Sequence, residues 1–262
     1  MSVGLASVTD DSALIARIWA ESAGELQERL DAIDAAGAAL LAGSLDDERR
    51  ARAVTGAHKL RGSLGTFGLP GGSDLAGELE MMLRATGDPP VLRLSELAER
   101  LRAIVNTGPV MVTAEPGGPP EPYAPAKAGA PSGEPAGASI DVVMVDDDVV
   151  LAQLVRHALE TRGYTAVVIP NGRIAIDTLT GPARLRSRLL LMDVDLPGLD
   201  GLAVLRQLTA AGVTATTPTI MLTVRASERE VLEALQAGAV DHVTKPFSMP
   251  VLMERIRLAL ER

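Results

Sequence analysis

In the second half of this chain, short apolar runs end in polar residues that could do chemistry together. "IDVVMVDDD" ends in Asp146, Asp147 and Asp148, "RLLLMD" in Asp193, "PTIMLT" in Thr223, and "AVDHVTKP" in Lys245 before Pro246. Clustered carboxylates repel one another unless a hard cation neutralises them. Mg²⁺ takes oxygen ligands in octahedral geometry and offsets charge on a transferring phosphoryl group. A lysine ammonium and a threonine hydroxyl suit the remaining phosphoryl oxygens. A carboxylate left free can attack phosphorus and become an acyl phosphate. The set therefore fits Mg²⁺-dependent phosphoryl transfer to a carboxylate. Asp is also common as a helix cap where a strand turns into a helix, and that plainer reading is preferred for Asp148, Asp200 and Asp241.

A second stretch, "AHKLRGSLGTFGLP" over residues 57–70, reads as helix although it holds Gly62, Gly65 and Gly68. Each glycine inside a helix costs roughly 0.5–1 kcal/mol against alanine. At about 100° per residue, Ala57, Leu60, Leu64 and Phe67 form one apolar stripe, and His58 lies roughly 140° from its centre beside Arg61, Gly62 and Gly65. The histidine is expected to face solvent. The two glycines clear space around the imidazole for a bulky partner, and Arg61 one turn on can pair with a phosphoryl group. Lys59 reads as an exposed surface charge, His157 as a surface residue, and Trp19 as bundle packing.

The elements that must position these residues follow from periodicity. Helical segments are predicted over about 12–43, 46–68, 73–87 and 93–107, with Asp46 and Ser73 as N-caps and Pro70 beyond the end of the second helix. Short connections between amphipathic helices predict an all-α antiparallel four-helix bundle. After residue 139, five apolar runs alternate with helices near 149–163, 172–180, 200–211, 227–237 and 249–262. That alternation predicts a doubly wound α/β fold with a five-stranded parallel sheet, in which ligands bind beyond the carboxyl ends of the strands. Between the halves, residues 108–138 hold eight of the seventeen prolines and read as a semi-extended linker. The expected division is residues 1–107, 108–138 and 139–262.

Composition narrows the function. A net charge of −9 without a basic stripe argues against nucleic-acid binding. The chain has no cysteine, which excludes disulfides, Cys-zinc sites and thiol nucleophiles. No apolar run is long enough to span a bilayer, and "MSVGLASVTDDS" lacks the features of a signal peptide. A cytoplasmic protein without membrane partners is the expectation. There is no P-loop and no glycine-rich kinase lid, so the chain is not expected to make phosphohistidine from ATP.

"VVMVDDD…LLLMDVDLPGLDG…TIMLTVRAS…DHVTKPF" resembles the receiver domain of bacterial two-component response regulators, over about 140–262, with a flavodoxin-like fold. The resemblance implies that Asp193 is the phosphoacceptor and that Asp147, Asp146 and the backbone carbonyl of Asp195 bind Mg²⁺, with Asp193. It further implies that Thr223 and Lys245 hold the phosphoryl group and that Lys245–Pro246 is cis. Two positions depart from the family pattern. His242 stands where an aromatic switch is usual, and Val224 follows Thr223 where a smaller residue is favoured.

His58, Arg61, Gly62 and Ser63, with "GTFGLP" and "LAGELE", resemble the histidine-containing phosphotransfer (HPt) domain, which implies that His58 becomes phosphohistidine. Together the resemblances imply a phosphorelay carrier that exchanges phosphoryl with a sensor histidine kinase, with other relay proteins, or between its own domains. Two alternatives stand beside it. One is a phosphorylation-switched binding module, docking a partner or dimerising through the face of the receiver's last two helices and the strand between them. The other is the regulatory part of a longer effector.

Overall fold

The computed structural model describes residues 15–109, 140–224 and 228–261. Most of the proposed linker lies outside the described residues. A helical segment at 15–21 leads through Ser22 into helix α1 (Ala23–Leu41), followed by α2 (Asp47–Thr66), α3 (Pro70–Arg84) and α4 (Val91–Thr107). α1 packs on α2 and α4, and α3 packs on the same two helices, which closes the bundle. Its core is almost entirely leucine and alanine, with Leu26, Leu30, Ile33, Leu60, Leu64, Leu79, Leu83, Leu97 and Leu101 wholly buried or nearly so. Where alanine is too large, glycine serves. A Cβ on Gly56 would lie 2.9 Å from the carbonyl oxygen of Arg29, so this glycine sets how closely α1 approaches α2.

Asp46 caps α2 as expected, accepting from the Arg49 N–H. The junction of α2 and α3 differs from the sequence expectation. Gly68, at φ +79°, stops α2, with the Leu69 N–H returning to the Leu64 carbonyl at 2.9 Å. Pro70 does not trail α2; it opens α3, where its missing N–H has no intrahelical partner to lose. Ser73 is accordingly not a cap but a buried residue inside α3, whose hydroxyl donates to the Arg61 carbonyl at 2.9 Å.

The second half alternates as β1 (Ile140–Val145), α5 (Val149–Glu160), β2 (Ala166–Ile169), α6 (Gly172–Thr180), β3 (Ser187–Asp193), α7 (Gly201–Ala210), β4 (Thr219–Thr223), α8 (Glu228–Gln236), β5 (Asp241–Thr244) and α9 (Met249–Leu260). All pairings are parallel, in the order β2-β1-β3-β4-β5. Successive strand residues face opposite sides. Val142 and Met144 therefore join α5 and α9 in one core, while Val143 and Val145 join α6 and α7 in the other. The strand order reverses between β1 and β3, which opens the crevice where ligands of such sheets bind. Asp146 and Asp193 stand there.

The two halves are docked on each other. α2 packs on α5, and Ile18 and Phe67 of the bundle share a small buried cluster with Val150 and Leu154 of the sheet domain. Trp19 joins this seam, meeting Phe67 edge-on at 5.0 Å between ring centroids. It is thus more than bundle packing.

The crevice depends on one glycine. A Cβ on Gly201 would fall 1.9 Å from the Asp193 carbonyl oxygen, so α7 can start beside the end of β3 only without a side chain. Gly201→Ala is expected to destabilise the chain by about 1–3 kcal/mol, read as a lower urea midpoint with the helix and sheet signals retained in water.

Candidate functional site

Lys245 organises the sheet edge. Its ammonium lies 2.8 Å from Asp146 Oδ2 and 3.0 Å from Asp193 Oδ1, with all three side chains almost completely buried. The cis Lys245–Pro246 bond follows β5, and the Lys245 N–H donates to the Thr223 carbonyl at 2.6 Å. Burial alone would weaken the Lys245 charge, but Asp146 and Asp193 outweigh it and hold the ammonium well above its usual pKa. Asp146 is pushed up to about 7, by burial first and by the neighbouring acids Asp193 and Asp148, against the pull of Lys245.

Asp146, Asp147 and Asp193 each offer a carboxylate oxygen, all within 4.8 Å of one another. A hard-oxygen set of this kind, with several acids and few cations, fits a divalent ion such as Mg²⁺. Thr223 ends β4, buried, and with Asp195 and half-buried His242 it lines a cavity of about 250 Å³. Val224 is buried at the next position.

On the bundle, His58 sits on α2 with its Nδ1 3.1 Å from Glu80 Oε1 of α3. Glu80 is buried and also receives Arg84 at 3.0 Å, with Arg61 at 3.7 Å. Burial opposes its charged form, yet His58, Arg84 and Arg61 together hold its carboxyl below the usual range. An ionised Glu80 can only accept, so the imidazole donates to it from Nδ1 and leaves Nε2 facing the receiver. That nitrogen points across the domain seam, 3.7 Å from Asp195 Oδ2. Glu80 was missed in the sequence, although it belongs to the "LAGELE" stretch.

The expectation that His58 faces solvent needs correction. Glu80 of the bundle meets one ring nitrogen and Asp195 of the sheet domain the other, and the His58 side chain is only 15% exposed. The space left by the glycines is filled by the same chain. A Cβ on Gly65 would lie 2.1 Å from Pro246 Cβ, and one on Gly62 would lie 3.9 Å from Lys245 Cδ. Lys59 is likewise not a free surface charge, since its ammonium is 2.7 Å from Asp147 Oδ2 and 3.1 Å from the Asp147 carbonyl. Asp148 caps α5 as expected, but it also receives Arg29 and Ser63 from the bundle. Arg61 stays partly exposed and lines an open cavity of about 720 Å³ with His58, Glu80, Arg84 and Asp195. His157 lies away from these groups, beside Phe67 and Leu154.

The arrangement places an imidazole nitrogen beside Asp195, two residues past Asp193, while Lys245 and Lys59 pair with the acids at the sheet edge.

Both halves of the chain match known families. Residues 17–107 match the family model described as the Hpt domain, and residues 142–257 that of the response regulator receiver domain. The transcriptional regulatory protein CseB of Streptomyces coelicolor is 39% identical over 121 residues, 46% of this chain and 49% of that protein. The transcriptional regulatory protein TrcR of Mycobacterium tuberculosis is 38% identical over 128 residues, 48% of this chain and 47% of that protein. The chain thus spans about half the length of the curated relatives it matches. A solved Francisella response regulator receiver domain aligns over 47% of this chain and 98% of its own, at 28% identity and a TM-score of 0.43.

The contact at Gly65 gives a prediction in which helix stability and docking part company. Gly65→Ala should favour α2 by roughly 0.5–1 kcal/mol of intrinsic propensity, yet separate the domains by its clash with Pro246. Small-angle X-ray scattering should show a larger radius of gyration than wild type, with no loss of helix signal on circular dichroism.

Proposed function

We propose that this chain, an Hpt domain joined to a receiver domain, is a two-component phosphorelay carrier that passes a phosphoryl group between His58 and Asp193 of the same molecule. The observation that carries this reading is the docked seam itself, which brings His58 Nε2 to 3.7 Å from Asp195 of the receiver, two residues past Asp193, with only 15% of the imidazole exposed. A receiver is the surface that a phosphohistidine must meet.

In this reading Asp193 is the phosphoacceptor. Transfer from the bundle breaks the Nε2–P bond and forms a P–O bond to Asp193, and the electron pair returns to Nε2. Because Glu80 keeps the Nδ1 proton in place, His58 leaves as a neutral imidazole, never as an imidazolate. Glu80 is thus a positioning residue, and Arg61 is near enough to meet phosphoryl oxygens on His58. Lys245 and Thr223 receive the phosphoryl oxygens on Asp193. Mg²⁺, held by Asp146, Asp147, Asp193 and the Asp195 carbonyl, would supply charge neutralisation on those oxygens.

A cytoplasmic location goes with this reading, as do a sensor histidine kinase and other relay proteins as partners. Among the described residues no helix is long and apolar enough to cross a membrane. One observation favours a switched docking face as a second output. Leu232 and Leu235 on α8 and Val251 and Leu258 on α9 are between 44% and 51% exposed, on the two helices that flank β5. Phosphorylation, read through Thr223 and His242, would change what that face binds, a partner or a second receiver.

The test is phosphate mapping by intact mass and acid or base lability, after exposure to acetyl phosphate with Mg²⁺. Wild type should gain base-labile phosphate on Asp193 and then acid-labile phosphate on His58. Asp193→Asn should gain neither, and His58→Gln only the first. Acid-labile phosphate on His58 of Asp193→Asn would contradict the route.

A further inference from the structure

The seam contains a buried ionic contact that belongs to neither phosphoryl site. The Arg29 guanidinium of α1 reaches Asp148 with two N–H groups, at 2.7 Å to Oδ1 and 3.4 Å to Oδ2, and donates to the Ser63 hydroxyl at 3.0 Å. The Ser63 hydroxyl in turn donates to Asp148 Oδ2 at 2.7 Å. The Asp148 carboxylate also accepts the Val150 and Leu151 N–H groups at the start of α5. The side chains of Arg29 and Asp148 are only 7% and 6% exposed, and Ser63 is fully buried.

We propose that Arg29, seconded by Ser63, selects the domain on which this bundle docks: a receiver that carries a carboxylate at the position of Asp148, here the chain's own. The inference rests on the relay reading and names what decides its partner.

Two physical points support it. A guanidinium fork facing a carboxylate is directional, which fixes register as well as attraction. A buried charge that loses its partner is heavily penalised, so a receiver with a neutral side chain at this position would strand Arg29 in the seam.

The position of Arg29 is also built for this contact. It lies on the buried side of α1 between Leu26, Leu30 and Ile33, where an unpaired charge would be out of place. The close approach that Gly56 allows fixes its backbone against α2, the helix that carries Ser63 and His58. Asp148 is not among the acids grouped to hold a metal ion, which are Asp146, Asp147 and Asp193. A divalent cation therefore has no need to displace Arg29, in contrast to Lys59 on Asp147.

The test uses the full chain, which has no native cysteine. Leu92→Cys and Ile174→Cys place spin labels on the two domains at positions 87% and 51% exposed. Pulsed electron resonance in Mg²⁺ then reads docking as one narrow distance distribution. Arg29→Ala should raise the ratio of separated to docked molecules at least tenfold, with unchanged circular dichroism. Asp148→Asn keeps the cap, since Asn caps as well as Asp, and should separate the domains by itself. Added to Arg29→Ala, it should cause no further loss. An unchanged distribution in Arg29→Ala, or effects of the two substitutions that simply add, would overturn the proposal. The same samples are assayed for acid-labile phosphate on His58 after acetyl phosphate. Transfer in wild type with no response to Arg29→Ala leaves the relay standing and removes Arg29 from it. Distances that respond without any transfer in wild type remove the relay and keep Arg29 as the docking residue.

Discussion

Four carboxylates are crowded at one edge of one sheet, and like charges at such distances must be compensated. Asp146, Asp147, Asp148 and Asp193 cannot all stay ionised near one another without cations close by. The sheet domain supplies one from within, Lys245, which pairs with Asp146 and Asp193. The bundle supplies two more, Lys59 on Asp147 and Arg29 on Asp148. Three cations thus serve four acids, with Lys245 shared between Asp146 and Asp193. The position of the bundle on the receiver thus follows from the same charge that makes the receiver a phosphoryl acceptor.

This compensation explains why the helix of His58 tolerates its glycines. Gly65 is occupied by Pro246, which follows Lys245 across a cis bond, and Gly62 faces the Lys245 stem. The residue that neutralises the acids and the residue that fills the helix groove are neighbours in sequence. Helix propensity is given up where two domains need to approach, and the approach brings Nε2 of His58 to 3.7 Å from Asp195 Oδ2. Glu80 completes the geometry from the third side by fixing the tautomer.

The receiver half was legible because each of its polar residues ends an apolar run, and strand ends in a parallel sheet share one edge by topology. The bundle was legible in its helices but less so in its corners. Gly68 and Pro70 could each stop a helix, and only the chain's path shows that one ends α2 while the other begins α3. Docking was not legible. Arg29 and Asp148 are 119 residues apart, and no local pattern links them. The signal that existed was chemical: Arg29 shares a stripe with Leu26, Leu30 and Ile33, and a charge on an apolar stripe asks for a buried partner. Lys59, read as a solvated charge, carried no such sign because its neighbours one turn away, Thr55, Gly56, Gly62 and Ser63, form no apolar stripe.

A tether already raises the local concentration of one domain around the other to the order of mM, and a docked seam raises it further by fixing orientation. The central claim is therefore kinetic: the phosphoryl group moves inside one molecule. The most direct measurement follows acid-labile phosphate on His58 at chain concentrations spanning two decades, after Asp193 has been loaded and the donor removed. Transfer within the chain predicts a first-order rate that does not change with concentration. It also predicts that a mixture of His58→Gln chains, loaded on Asp193, with Asp193→Asn chains stays far behind wild type. A rate that rises in proportion to concentration, matched by the mixture, would contradict the account and make each domain the partner of another molecule.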